Sequence, residues 1–192
     1  MQNPSEFVPV CPSFWESVRL FARALWVTFL REDSHVIDAT CGKGRDTLFL
    51  AKCVPQGHVY SYDIQSTALA EAKRLIDGEG KSKQVTFFHQ SHTSFEQNAD
   101  LVVYNLGYLP GSDKTICTQP KDVLESVEHA QSFAQAICIT CYPGHLSGRK
   151  EEELLHAYSK TLDAKLWTAS HHRWVNRHLC PSLIWLTKIN RR

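Results

Sequence analysis

No apolar run in the 192 residues approaches the roughly 20 residues needed to cross a bilayer. The opening Met1-Gln2-Asn3-Pro4-Ser5-Glu6 has neither the basic start nor the apolar core of a secretory signal. Repeats, low-complexity tracts and linker-like stretches are also missing, which predicts one domain over residues 1–192, with 1–32 as a helical segment packed on it. The seven cysteines are an odd number with no framework spacing, so a disulfide scaffold is excluded and a reducing, cytoplasmic setting is expected. Cys138 and Cys141 have C-x-x-C spacing, yet they lie in Ala136-Ile137-Cys138-Ile139-Thr140-Cys141-Tyr142, which reads as a buried strand. Residues three apart on a strand face opposite ways, so the pair cannot easily share a metal, and no metal site is expected.

Acidic residues stop at Asp163, while Lys165, Arg173, Arg177, Lys188, Arg191 and Arg192 follow, with His171, His172 and His178 among them. The whole chain carries a net charge of only +1, so the cationic character is local. Such an end can attract phosphates or can be an ordinary solvated surface, and charge alone leaves both open.

The apolar pattern gives the architecture. Trp15, Val18, Ala22, Leu25 and Phe29 recur at helical spacing across residues 13 to 30, with Ser13 as a candidate cap. Strand-like runs follow at His35–Ala39, His58–Asp63, Val85–His89, Leu101–Leu106, Ala136–Tyr142 and Leu183–Thr187. Helical patterns stand between them at Arg45–Cys53, Ser66–Asp77, Lys121–Phe133 and Glu151–Leu162. Alternation of this kind predicts an α/β, doubly wound, mostly parallel sheet. Leu166–Ser170 and Leu183–Lys188 follow one another without a helix, predicting a hairpin and one antiparallel strand. In such a sheet, ligands bind beyond the carboxyl ends of the strands, at the switch point.

The chemistry-bearing residues gather at those ends. The first strand runs into Asp38-Ala39-Thr40-Cys41-Gly42-Lys43-Gly44-Arg45-Asp46-Thr47. Gly42 and Gly44 allow a tight turn and a close backbone approach to a ligand. A dinucleotide site would carry a third glycine where Thr47 stands, which disfavours a nicotinamide-dependent oxidoreductase. Asp38 would repel a pyrophosphate but suits a cationic amino group. Asp63 ends the second strand about twenty residues past the glycines, the spacing at which an acid accepts hydrogen bonds from ribose hydroxyls. Together Asp38, Gly42, Gly44 and Asp63 describe a pocket for a nucleoside bearing an amino acid. The fourth strand leads into Asn105-Leu106-Gly107-Tyr108-Leu109-Pro110-Gly111, a Gly/Pro-rich turn that is similar to the Asn/Asp-Pro-Pro-Tyr loop of methyltransferases acting on nitrogen.

With these segments the chain resembles the YtqB-like family of class I methyltransferases, described broadly as rRNA methylases. The matching stretches are Asp38-Ala39-Thr40 with Gly42 and Gly44, Asp46-Thr47, Asp63-Ile64-Gln65, Ser91-His92, Asn105 through Lys114, Tyr142 with Gly144-His145, and Asn176. Departures are Lys43 and Arg45, where the family usually has Asn and His, and Leu179-Cys180-Pro181-Ser182, where it tends to have Asn-Asp-Pro-Pro. The resemblance implies a Rossmann-like fold with seven strands, S-adenosylmethionine as cofactor, and methylation of an amine on RNA. The implied acceptor is 5-aminomethyl(-2-thio)uridine at the tRNA wobble position, in the anticodon region.

On that reading, Asp38, Thr40, Gly42, Gly44, Asp46, Thr47, Asp63, Ile64, Gln65, His92 and Asn105 hold the cofactor. Asn105 and the Leu106 carbonyl orient the amine, while Tyr142 and His145 shape the substrate side, with His145 a route for the departing proton. Tyr108, Asp113, Lys114, Arg173 and Asn176 contact substrate. His171, His172 and Trp174 could touch RNA by charge and stacking, or Trp174 could be hairpin core. Alternatives are an rRNA or small-molecule amine methyltransferase, or a non-catalytic S-adenosylmethionine-binding protein. The residues leave open whether one chain or a homodimer acts.

Overall fold

Short runs rich in valine and isoleucine, bounded by turn residues, become strands here, and the longer periodic runs become helices. The computed structural model describes residues 14–106 and 120–189. In chain order it has α1 (Phe14–Phe29), β1 (His35–Asp38), α2 (Arg45–Cys53), β2 (His58–Asp63) and α3 (Ser66–Gly78). A 3-10 turn (Ser82–Gln84) leads to β3 (Val85–His89), β4 (Leu101–Asn105), α4 (Pro120–Phe133) and β5 (Ala136–Cys141). The last elements are α5 (Leu146–Ser159), β6 (Trp167–His172) and β7 (Ser182–Lys188).

The strands form one seven-stranded sheet in the order β3-β2-β1-β4-β5-β7-β6. β1 pairs in parallel with β2 on one side and β4 on the other, with Asp38 level with Ser61 and Val103. The winding reverses between β1 and β4, and the carboxyl ends at such a switch point are where sheets of this kind bind ligands. β7 runs antiparallel to both β5 and β6, with Cys141 opposite Ser182 and His172 opposite Leu183. The predicted hairpin and single reversed strand are therefore present.

Alternate strand residues supply two core layers, the expected outcome when both faces of a parallel sheet are covered. Val36, Val59, Leu101, Val103 and Cys138 pack with Val18, Ala22 and Trp26 of α1 and Leu50 of α2. Ile37, Val102, Ile137, Ile139 and Cys141 pack with Val123 and Val127 of α4 and Leu155 of α5. Cys138 and Cys141 thus lie in opposite layers, as strand geometry demands.

Several boundaries differ from the sequence expectation. α5 begins at Leu146 rather than Glu151 and ends at Ser159 rather than Leu162. Its start is set by the His145 side chain, which accepts a hydrogen bond from the Gly148 N–H, a cap on a residue outside the usual Ser/Thr/Asp/Asn set. β6 is shifted to Trp167–His172, and β1, β4 and β5 each stop one residue early. Ser13 and the side chain of Trp15 lie outside the described residues.

Candidate functional site

The glycine loop between β1 and α2 is shaped by two left-handed residues, Gly42 at φ 52° and Gly44 at φ 78°. A side chain at Gly44 would be strained by that angle and would also put its Cβ 2.8 Å from the Ala72 Cβ of α3. The loop is tied to the end of β2 by Asp63. One carboxylate oxygen accepts from the Gly42 N–H at 2.7 Å and the other from the Gln65 N–H at 2.8 Å. Each carboxylate oxygen has two lone pairs, so Asp63 can accept further hydrogen bonds. Next to it Ile64 is half exposed, and its carbonyl faces the His89 ring at 3.0 Å.

Asp38 lies deeper, only 1% exposed. Its Oδ2 accepts from the Thr47 hydroxyl at 2.6 Å and its Oδ1 from the Thr40 N–H at 3.3 Å. Ser61 donates in turn to the Thr47 oxygen at 3.1 Å. Burial pushes the Asp38 carboxyl up to about 7, against the opposing pull of the Thr47 hydrogen bond. A buried anion without a cation beside it is costly, and the proton relieves that cost.

Asn105 closes β4 at the switch point. Its backbone N–H donates to the Thr40 hydroxyl at 2.7 Å, and its side-chain N–H donates to Asp46 Oδ2 at 3.3 Å. The Asn105 side-chain oxygen is buried and has no hydrogen-bond partner. Asp46, in the first turn of α2, also accepts from Arg23 at 2.8 Å and Arg19 at 3.4 Å. These two arginines project from α1 on one helix face, four residues apart. The Arg23 guanidinium also lies over the Phe49 ring, 4.5 Å from its centroid. Burial pushes the Tyr142 phenol up to about 12, opposed by donation from the Asn105 side-chain N–H. The next residue along β4's exit, Leu106, is buried, and its N–H donates to the Thr140 carbonyl at 2.9 Å.

Beyond β5 the character changes. His145 Nδ1 accepts from the Gly148 N–H at 3.0 Å and lies 2.9 Å from the Ser147 hydroxyl. Gly148 is required there, since a Cβ would stand 2.2 Å from the Tyr142 carbonyl oxygen. Nearby, the buried Glu152 accepts hydrogen bonds from Ser182 and from His171 at 3.2 Å. Its carboxyl is held below the usual range by those bonds and by Arg173, although burial alone would raise it. His171 also meets His156, Nδ1 to Nδ1 at 2.9 Å. His171 thus links α5 to β7 through Glu152, His156 and Ser182. Arg173 is largely exposed, with its Nε 3.6 Å from Glu152. Asn176 is exposed, and Trp174 at 42% exposure is surface rather than hairpin core.

The sequence-predicted residues thus divide. Asp38, Thr40, Gly42, Asp46, Thr47, Asp63 and Asn105 are linked by hydrogen bonds around one crevice. His92 is buried, its ring set edge-on to Tyr104, with neither ring nitrogen hydrogen bonded. Arg173 and Asn176 sit at the β6–β7 connection, and Tyr108, Asp113 and Lys114 lie outside the described residues. Sequence reasoning missed Arg19, Arg23 and Glu152. The signal for the arginines was their four-residue spacing beside the apolar stripe of α1. Glu152 gave none, because only the fold brings Ser182 and His171 to it. Among the described residues no group of three or more His, Cys, Asp or Glu side chains could hold a metal ion. Nor is any described helix long and apolar enough to cross a membrane.

Comparison with known proteins agrees with this geometry. Residues 59–188 match the family model described as "Putative rRNA methylase". A chloroplastic tRNA (mnm(5)s(2)U34)-methyltransferase of Arabidopsis thaliana is 33% identical over 185 residues, spanning 87% of this chain and 68% of that protein. The crystal structure of a Clostridium thermocellum protein described as a "putative rRNA-methylase" superposes with a TM-score of 0.85 at 29% identity, covering 89% of this chain and 97% of that one. A Streptococcus mutans protein crystallised with SAH has the same fold, with a TM-score of 0.80 at 24% identity and the same coverage. The chain belongs to this rRNA methylase family and is an S-adenosylmethionine-dependent methyltransferase.

Proposed function

Starting from that family membership, we propose that the enzyme methylates a primary amine on RNA, the 5-aminomethyl group of the tRNA wobble uridine. The observation that carries this reading is Asn105 at the end of β4, whose side-chain oxygen is buried without a hydrogen-bond partner. An amine N–H is the donor such an oxygen suits. The name of the Arabidopsis relative supports the tRNA acceptor.

The residues present fit the cofactor. Asp63 has spare lone pairs for ribose hydroxyls, and Gly42 leaves the loop backbone partly accessible while Gly44 lets the loop pack against Ala72. The Asp38–Thr47–Thr40 network builds the wall on which the amino-acid end would rest. Asp38 near its midpoint at neutral pH can lose its proton when a cationic ligand approaches. S-adenosylmethionine supplies an electrophilic methyl group on a sulfonium centre.

The protein's own work is orientation. Asn105 and the Leu106 carbonyl accept the two amine hydrogens, which leaves the nitrogen lone pair aimed toward the methyl group. Bound there, S-adenosylmethionine would supply the methyl group to that lone pair, its S–C bond breaking as the N–C bond forms, and the methylated amine would then lose one proton. Alignment of this sort supplies much of the rate enhancement in a displacement. His145 is an unsuitable acceptor for that proton while its Nδ1 caps α5, because the neutral ring then carries its hydrogen on Nε2. Water is the remaining destination. On the RNA side, Arg173, Asn176 and the exposed Trp174 provide charge and a stacking face. The free thiols Cys41, Cys53, Cys138, Cys141 and Cys180 suit a reducing compartment such as the cytoplasm.

The test uses purified protein, methyl-labelled S-adenosylmethionine and bulk tRNA from cells lacking the methylase, followed by nucleoside mass spectrometry. Conversion of aminomethyluridine to methylaminomethyluridine, reduced at least a hundredfold in Asn105→Ala, is expected. Unmodified tRNA with intact cofactor binding would remove the tRNA assignment.

A further inference from the structure

Asp46 lies in the cofactor loop by sequence, yet its carboxylate is turned toward α1 and β4. Its side chain is 13% exposed. Oδ1 is held by Arg23 through Nε at 3.2 Å and Nη2 at 2.8 Å, with Arg19 Nη2 at 3.4 Å. Oδ2 faces the Asn105 side-chain nitrogen at 3.3 Å. Paired with two guanidinium groups at this range, the carboxylate oxygens of Asp46 act as hydrogen-bond acceptors.

That fixes a choice an amide does not make for itself. The two ends of a carboxamide are nearly the same size, and a half-turn about its last torsion exchanges donor for acceptor. With acceptor oxygens of Asp46 on one side, the nitrogen faces Asp46 and the oxygen faces away. The oxygen that results is the buried one with no partner. We propose that Asp46, braced by Arg23 and Arg19, is a positioning residue that locks the Asn105 amide so that its oxygen meets the substrate amine. This rests on the amine-methyltransferase reading above. In the reversed orientation the amide N–H would donate to the amine lone pair, and the electrons needed for the new bond would be tied up. The N-terminal helix therefore enters the chemistry through two contacts, without touching substrate.

The experiment compares wild type, Asp46→Asn, Asn105→Asp and the double variant Asp46→Asn/Asn105→Asp. Turnover is read under saturating cofactor on the RNA acceptor that wild type methylates. Cofactor affinity is measured separately by calorimetry, and folding by thermal melting. An amide at position 46 no longer enforces the choice, so Asp46→Asn is expected to lose about thirtyfold in kcat, with cofactor Kd and RNA KM changed less than threefold. Asn105→Asp alone sets two carboxylates face to face and is expected to be slower still. In the double variant the amide at 46 donates to one carboxylate oxygen at 105, and the other oxygen again faces the amine. Recovery of at least tenfold over Asp46→Asn is the expected result, and a residue that merely stabilises the fold would not produce it. The proposal is overturned if Asp46→Asn keeps its kcat, if its loss lies wholly in cofactor affinity, or if the double variant is no faster than the single. Should wild type methylate no RNA amine, the functional reading falls and this inference with it. An active wild type with an unimpaired Asp46→Asn removes this inference alone.

Discussion

The two halves of the sheet's carboxyl edge are built differently. Around β1, β2 and β4 the polar groups are buried and mutually bonded, as in the chain Ser61–Thr47–Asp38 with Asp38 only 1% exposed. Beyond β5 the buried cluster of Glu152, His171 and Ser182 gives way to an exposed β6–β7 connection that carries Arg173, Trp174 and the fully exposed Val175. Partners that are already bonded to one another are held in place before any ligand arrives, so the first half is suited to one small molecule of constant shape. Exposed side chains on a connection can adapt, so the second half is suited to a large, charged and variable one. The difference teaches that this fold separates preorganisation from adaptability along a single edge.

The largest disruption should come from breaking the rigid half. Gly44→Val combines a disfavoured left-handed angle for a β-branched residue with the 2.8 Å approach to Ala72. A loss of about 3 kcal/mol or more in chemical denaturation is expected, whereas a change under 1 kcal/mol would show that the loop is not rigid. A pH series sharpens the comparison, because each half holds a buried acid whose carboxyl is pushed up. Burial pushes both Asp38 and Glu151 up to about 7. Between about pH 4 and pH 7 the folded form then binds more protons than the unfolded form, so stability falls as pH rises and levels off above 7. The slope should reach about 1.4 kcal/mol per pH unit for each group at most. Asp38→Asn and Glu151→Gln should each flatten it, and a slope unchanged in both variants would count against the burial argument. The smallest effect belongs to the open half. Trp174→Ala should weaken RNA binding about tenfold while leaving the melting temperature within a degree or two. A large stability loss instead would mean that this half is as fixed as the other.

Much of this division was legible in the chain. Alternation of apolar strands and periodic helices gave the doubly wound sheet, and the helix-free interval from Leu166 to Leu183 gave the reversed strand. Gly42, Gly44, Asp38, Asp63 and Asn105 could be placed together because parallel strands deliver their carboxyl ends to one edge. What stayed hidden depends on packing across the fold. Arg19 and Arg23 read as the polar rim of an amphipathic helix until α1 is laid against α2. Glu152 meets His171 and Ser182 only after a strand from the end of the described chain is inserted beside β5. The start of α5 was misplaced because histidine is an uncommon cap, and its suitability came from Gly148 allowing the backbone to come close.

That inserted strand also bears on synthesis. β6 precedes β7 in the chain but joins the sheet only through it, in the order β5-β7-β6. During translation, β1 to β5 can pair as they emerge, since each has its neighbour already made. Residues 167–172 must wait on the growing chain, with no edge to add to, until residues 182–188 have cleared the ribosome. The cofactor crevice can thus be in place while the edge carrying Arg173 is still unassembled. A nascent chain stalled before Ser182 would therefore carry the β1–β5 edge complete and the β6–β7 edge still open.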